Sequence, residues 1–178
     1  GGLIKHRPYT SIVTSRGCPG ICIFCSKKIS GYRWRARSPK NVVDEIELLV
    51  KNYGMKEIHI IDDCFSLDKE RAIAICDELI GRKIKIAIKL ANGLRADTVS
   101  KALLEKLHAA GCYFLAYGIE SGSQEMLNRI HKGITIEEIE QAVELTKEAE
   151  IITSGYFIIG LPGETVESAR QTIEFAKK

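Results

Sequence analysis

Five times along this chain a short apolar run gives way to a longer stretch whose apolar residues recur every three or four positions. The runs are "TSIVTS" (10–15), "KEIHII" (56–61), "KIKIAIKL" (83–90), "CYFLAYGI" (112–119) and "IITSGYFIIG" (151–160). Taken together they read as apolar strand runs rather than clean alternation, which indicates strands of a parallel sheet covered by helices. The stretches between them read as helices. "PKNVVDEIELLVKNY" opens at Pro39 and stops at Gly54; "DKERAIAICDELIG" is capped by Asp68 and closed by Gly81. "TVSKALLEKLHAAG" follows "ANGLRAD", a loop. "TIEEIEQAVELTKEAE" starts at a Thr cap with Glu138 three residues on, and "TVESARQTIEFAKK" reads as the final helix. Strand and helix in strict alternation predict an α/β fold with a helix-covered parallel sheet.

Such a sheet gathers chemistry at the carboxyl ends of its strands. In this chain those ends carry the cysteine loop after the first run, Asp62-Asp63, Asn92 to Arg95, Glu120-Ser121, and Gly160 to Glu164. Residues 26–38, "SKKISGYRWRARS", read as a polar, basic loop. The chain's 178 residues suffice for one core, and a formal charge of +3 permits an anionic ligand without arguing for one. The six cysteines are not arranged as secreted staples, and no signal peptide or membrane-spanning run is legible, so a cytoplasmic chain is expected. Cys64, Cys76 and Cys112 read as small buried apolar residues.

Cys18, Cys22 and Cys25, in "RGCPGICIFC", are spaced C-x3-C-x2-C. Thiolates suit soft metals, and closed zinc or cluster sites normally take four protein ligands. Three thiolates on one loop can hold three corners of a four-iron four-sulfur cube, leaving the fourth iron open to a small molecule. Simple packing of three cysteines, or a zinc site completed by His59, His108 or His131, are the alternatives. Gly17, Pro19 and Gly20 favour a tight wrapped loop over a helix or strand face, which speaks against simple packing.

The loop resembles the C-x3-C-x-aromatic-C motif of the radical S-adenosylmethionine superfamily, with Phe24 in the aromatic position. "EIHIIDDCFS", "GLRAD", "YGIESGSQEMLNRIHKG" and "GYFIIGLPGET" resemble, in order, segments of the branch associated with a cobalamin-binding domain, and next those of the methylthiotransferases. The resemblance covers roughly residues 10–178. It implies a partial (βα)6 TIM-like barrel of which about five units are present, a core domain over 10–178 that stops before the sixth strand, and a linker over 1–9. It implies a 4Fe-4S cluster on Cys18, Cys22 and Cys25, the catalytic centre, with S-adenosylmethionine chelated at the open iron and cleaved reductively to methionine and a 5′-deoxyadenosyl radical. Cobalamin would be held by a domain outside this chain.

Around the cofactor the resemblance places Phe24 beside the adenine, and Glu120 and Ser121 near the ribose or methionine. Asp62 and Asp63 stand where the family commonly has a Gly-Gly-Glu-like segment that receives the ammonium group. Arg95 suits a carboxylate; Ile158, Gly160 and Leu161 face the adenine, and Glu164 is expected to cap the last helix. A flavodoxin or ferredoxin-type donor and a small-molecule substrate are the expected partners. Nucleic acid ranks below the small molecule, although Lys27, Lys28, Arg33, Arg35 and Arg37 with Tyr32 and Trp34 interleaved are suited to it. A cobalamin-dependent methyltransferase or cyclase is the leading reading; methylthiolation of tRNA or protein, and a non-enzymatic zinc or iron-sulfur module, are its competitors.

Overall fold

A computed structural model describes residues 4–26 and 28–178. Gly1, Gly2 and Leu3 of the expected linker, and Lys27 of the basic run, lie outside the described residues. The first strand, β1 (Tyr9–Ile12), is followed by a two-residue pair, β2 (Ser15–Arg16) and β3 (Arg35–Ala36), and then by α1 (Pro39–Tyr53), β4 (Glu57–Ile60) and α2 (Lys69–Gly81). Next come β5 (Ala87–Leu94), α3 (Lys101–Ala109), β6 (Cys112–Glu120), α4 (Gln124–Arg129), α5 (Ile136–Glu148), β7 (Ile152–Phe157) and α6 (Val166–Ala176).

The main sheet runs β1-β4-β5-β6-β7, every neighbour pair parallel. Each strand lies beside the one before it in that order, so every crossover advances the same way. Right-handed crossovers then place the connecting helices on one face and leave the other face to curl inward, the geometry of a partial barrel. The core under the helices is formed by Val42, Val43 and Ile46 of α1, Ile75 and Leu79 of α2, and Leu103, Leu104 and Leu107 of α3, against Ile58, Ile88, Leu90 and Leu115 of the strands; all are buried.

Local chemistry sets most helix ends. Ser38 accepts a hydrogen bond from the Asn41 amide, and Gly54 ends α1 in a left-handed conformation, φ 64°. Asp68 caps α2, and Thr135 with Glu138 forms the reciprocal box of α5.

The differences from the sequence reading have local causes. Gly81 is the last residue of α2 rather than its stop: Arg82 caps the helix, Lys83 turns the chain at φ 55°, and the Ile84 amide closes back on Leu79. Residues 83–86 are spent on that turn, so the strand read over 83–90 runs over 87–94, and its end occupies part of the expected loop "ANGLRAD". The loop read over 26–38 includes β3, which pairs antiparallel with β2. Thr165, in a box with Ser168, caps α6 instead of Glu164, whose carboxylate turns back to the Gly160 amide.

Candidate functional site

The cysteine loop is pinned from several sides. Asp62, at the end of β4, accepts from the Thr14 amide (2.6 Å), the Thr14 hydroxyl and the Ser15 hydroxyl (2.7 Å). Arg71 of α2 donates to the carbonyls of Thr14 (2.9 Å) and Arg37 (2.8 Å). Asp63 accepts from the Gly17 amide at 2.8 Å, the Cys18 amide donates to Gly31, and the Ile23 amide donates to Ile130 beyond α4. Gly17 has φ 88°, and a β-carbon there would lie 2.2 Å from the Arg33 carbonyl oxygen. Only glycine lets the chain pass that close while turning into the cysteines.

Cys18, Cys22 and Cys25, none of them in a disulfide, line one cavity of about 290 Å³. Phe24 lines it with them. The same cavity is lined by Asp63 from the end of β4, Asn92 and Arg95 from β5 and its exit, Glu120 from β6, Lys132 from the segment after α4, and Tyr156 from β7. Four successive strands thus deliver side chains to the three thiols, as their shared orientation requires. Asn92 spans to the Asp62 carbonyl at 2.9 Å, and the Tyr156 hydroxyl reaches the Ala91 carbonyl.

Glu120 is buried, in a left-handed conformation (φ 72°) where the pairing of β6 with β7 shifts register. Its carboxylate accepts from Lys132 Nζ at 2.8 Å, and the same ammonium lies 5.9 Å from the centre of the Phe24 ring. Strain of this kind concentrates at ligand sites. Gly118 makes the pair possible: a β-carbon at 118 would stand 2.7 Å from Glu120 Oε1 and 3.1 Å from Lys132 Nζ. Arg95 forks onto Asp97 (3.0 and 2.8 Å) and donates to the Lys132 carbonyl at 2.9 Å. It therefore reaches the cavity already oriented, and its guanidinium pKa is raised: burial opposes the charge, but the hydrogen bonds to Asp97 and the charge of Asp97 outweigh it. Beneath the loop, Cys64 is buried and its thiol is pushed up by the hydrogen bond with Cys18 and then by burial.

The expected site residues divide. Cys18, Cys22, Phe24, Cys25, Asp63, Arg95 and Glu120 meet at the cavity. Asp62 is turned away and saturated by Thr14 and Ser15. Ser121 is buried against Thr172 of α6 at 2.9 Å. Leu161 is in the core, Ile158 packs against it with its amide on the Glu120 carbonyl, and Gly160 is exposed. Lys132 and Tyr156 were missed. Lys132 sits in a quoted motif but past a short helix, where only the left-handed turn at His131 (φ 55°) points it inward; Tyr156 carries no signal beyond opposite parity to the core-packed Phe157.

The donor chemistry suits an iron–sulfur group: soft thiols on one wall, with no acidic residue among the ten of the loop itself. Among the described residues, no three His, Cys, Asp or Glu side chains are drawn together around a single metal ion.

The family model described as the Radical SAM superfamily matches residues 12–176. An uncharacterized methyltransferase of Pyrococcus horikoshii is 39% identical over 172 residues, covering 96% of this chain and 37% of its own length. The anaerobic magnesium-protoporphyrin IX monomethyl ester cyclase of Cereibacter sphaeroides is 35% identical over 164 residues, covering 91% of this chain and 27% of its own. Among solved structures, the cobalamin-dependent S-adenosylmethionine radical enzyme OxsB, with aqua-cobalamin and S-adenosylmethionine bound, superposes with a TM-score of 0.80 at 27% identity, over 94% of this chain and 26% of that one. The chain thus spans about a third of the length of the curated relatives it matches.

Proposed function

This chain belongs to the radical S-adenosylmethionine superfamily, a family of enzymes, and from that premise we propose that its cavity binds a 4Fe-4S cluster and S-adenosylmethionine as the core of a cobalamin-dependent methyltransferase or cyclase. The observation that carries the reading is the convergence of Cys18, Cys22 and Cys25 with side chains from four successive strand ends on one cavity. The likeness to OxsB and to a methyltransferase and a cyclase supports the subclass. When bound, the cluster supplies the one electron that splits the sulfonium to methionine and a 5′-deoxyadenosyl radical, which takes a hydrogen atom from a small-molecule substrate.

The chain's own residues bind and orient. Cys18, Cys22 and Cys25 would hold the cluster, three thiolates leaving it a position open to the amino and carboxylate groups of the methionine moiety. Phe24 offers its ring and backbone to the adenine. Glu120 has acceptor capacity left beyond Lys132, enough for ribose hydroxyls, and Asp63 would accept from the N–H of the amino group. Arg95 and Lys132 place positive charge where the methionine carboxylate arrives. Ser121, buried against Thr172, and Ile158 and Leu161, packed on the core, support these strand ends, with Asp62 fixing the strand that leads into the loop. No helix among the described residues is long and apolar enough to cross a membrane.

The test is anaerobic reconstitution with iron and sulfide, followed by electron paramagnetic resonance of the reduced protein. A four-iron signal that changes on adding S-adenosylmethionine is expected, and replacing any of the three cysteines with Ala should abolish it. Stoichiometric zinc, or a signal indifferent to S-adenosylmethionine in the folded protein, would refute the reading.

A further inference from the structure

The sequence presents Cys64, Cys76 and Cys112 alike, as small buried apolar residues, but the structure sets Cys64 apart. Cys76 and Cys112 belong to the hydrophobic core. Cys64 is 1% exposed, yet its thiol is hydrogen-bonded to that of Cys18. Neither of the two is in a disulfide.

The backbone brings them together. Strands β1 and β4 run parallel with Ile12 opposite Ile60, so both leave the sheet at the same end. Beyond it the two segments stay joined: the Ile61 amide donates to the Ile12 carbonyl at 3.1 Å, the Thr14 amide to Asp62 at 2.6 Å, and the Gly17 amide to Asp63 at 2.8 Å. Cys18 and Cys64 come next on each segment. The Cys64 carbonyl also accepts from Trp34 Nε1 at 3.2 Å. Two thiols forty-six residues apart in sequence are therefore held side by side by fixed backbone.

Access distinguishes them. Cys18 is half-buried and lines both the cavity of the three thiols and a second one of about 420 Å³, which Ile21, Leu67 and His131 also border. Cys64 borders neither. A small oxidant entering from solvent thus meets Cys18, with Cys64 behind it. An accessible thiol backed by a resolving cysteine is the arrangement of redox-sensing sites.

We infer that Cys18 and Cys64 form a reversible disulfide in response to peroxide, a modification site that withdraws Cys18 from metal binding and spares it irreversible oxidation. The Cys18 thiol and one hydrogen peroxide give a sulfenic acid and one water: the O–O bond breaks and the sulfur loses two electrons to peroxide. The Cys64 sulfur then forms the S–S bond as the S–O bond breaks, and the oxygen leaves as water carrying the Cys64 proton. Without Cys64 the sulfenic acid is open to further oxidation, to sulfinic and sulfonic acids that a dithiol does not reverse. The pairing needs only the two thiols; its effect on loading rests on the proposed cluster, for which Cys18 is a ligand. Cys22 and Cys25, spaced C-x2-C, are the rival pair.

The experiment treats the chain with hydrogen peroxide before any iron is added, alkylates the remaining thiols, and maps disulfides by tandem mass spectrometry of a non-reduced tryptic digest. The expected species joins the peptide 17–27 to the peptide 57–69 through Cys18 and Cys64. A parallel sample receives iron and sulfide: loading should be lost after peroxide and return with dithiothreitol. In Cys64→Ala, checked against Cys64→Ser, Cys18 should accumulate as sulfinic and sulfonic acid, and the loading recovered with dithiothreitol should be at least about threefold below that of the wild type. A wild-type disulfide confined to the loop, such as Cys22 with Cys25, would overturn the inference, as would equal recovery in variants and wild type. Should the variants fail to fold, the wild-type map decides alone. An untreated wild type that takes up no cluster would overturn the reading beneath instead, while the disulfide map still tests the pair.

Discussion

Two glutamates at opposite ends of the sheet show how this molecule separates structure from chemistry. Glu57 opens β4, at the amino ends of the strands, and is fully buried; Glu120 closes β6, at the carboxyl ends, and is 8% exposed. Glu57 accepts from the Lys5 amide (2.8 Å), the His6 amide (2.6 Å), His59 Nε2 (2.6 Å) and the Tyr113 hydroxyl (2.8 Å). A carboxylate has about four acceptor positions, so Glu57 is full. Glu120 holds one side-chain partner, Lys132, and faces a cavity from a strained backbone. Saturation ties Lys5 and His6 to the sheet; incomplete satisfaction leaves room for a ligand.

The largest expected effect comes from emptying the saturated end. Glu57→Gln presents an amide group to an array of donors, so it should destabilise the fold by about 3 kcal/mol and leave S-adenosylmethionine affinity of the surviving folded protein within about twofold. Glu120→Gln should do the reverse: a loss of affinity of at least about tenfold, with a stability change near 1 kcal/mol because Lys132 still faces the cavity. Chemical denaturation and equilibrium binding read the two. Equal destabilisation with unchanged binding would break the comparison. pH sharpens it. Burial would raise the Glu57 carboxyl, but hydrogen bonds from His59, the His6 amide, Tyr113 and the Lys5 amide outweigh it and hold the group below its ordinary range. A depressed carboxyl contributes stability that is present above the unfolded-state pKa and lost as pH falls through the folded one. The wild-type protein should therefore lose stability below about pH 4 more steeply than Glu57→Gln.

The two aspartates after β4 repeat the contrast within one dipeptide. Asp62 is filled by Thr14 and Ser15 and buried; Asp63 holds the Gly17 amide and borders the cavity. Asp62→Asn should cost about 2 kcal/mol and loosen the whole cysteine loop, lowering cluster occupancy. Asp63→Asn should leave the cluster loaded and weaken S-adenosylmethionine about fivefold, seen as unchanged iron content with a shifted binding curve. The same iron loss in both variants would make Asp63 a loop anchor like its neighbour.

No reading of "DDC" separates these two residues, because neighbouring positions at a strand end differ only in the face they meet, and the face is set by where the Thr14-Ser15 segment returns. The legible parts are those governed by short-range chemistry. The Pro39 start, the Gly54 stop, the Asp68 cap and the Thr135–Glu138 box need only neighbours in sequence, and all four appear where the residues place them. The three cysteines are equally local. What distant contacts decide stayed hidden: β2 with β3 is a pairing of two residues across a nineteen-residue separation, and the last residues of β5, Ala91 to Leu94, contain Asn92 and Gly93, which read as loop until pairing with β6 makes them strand. Lys132 and Tyr156 belong to the same class, reaching the cavity from segments whose approach is a property of the barrel's closure.

The smallest expected effect tests the unfilled end where no ligand group is altered. Gly118 carries nothing toward the cavity, yet its missing β-carbon is the space in which Glu120 and Lys132 meet. In Gly118→Ala the added methyl meets Glu120 Oε1 at 2.7 Å, a contact the flexible carboxylate end relieves by rotating away from Lys132. Stability should change by less than about 1 kcal/mol, because the displaced carboxylate turns toward the cavity. S-adenosylmethionine affinity should fall about threefold, and combining Gly118→Ala with Glu120→Gln should give no further loss, since both act through one carboxylate. Additive losses would mean that the glycine serves the ligand directly by letting the backbone of β6 approach it.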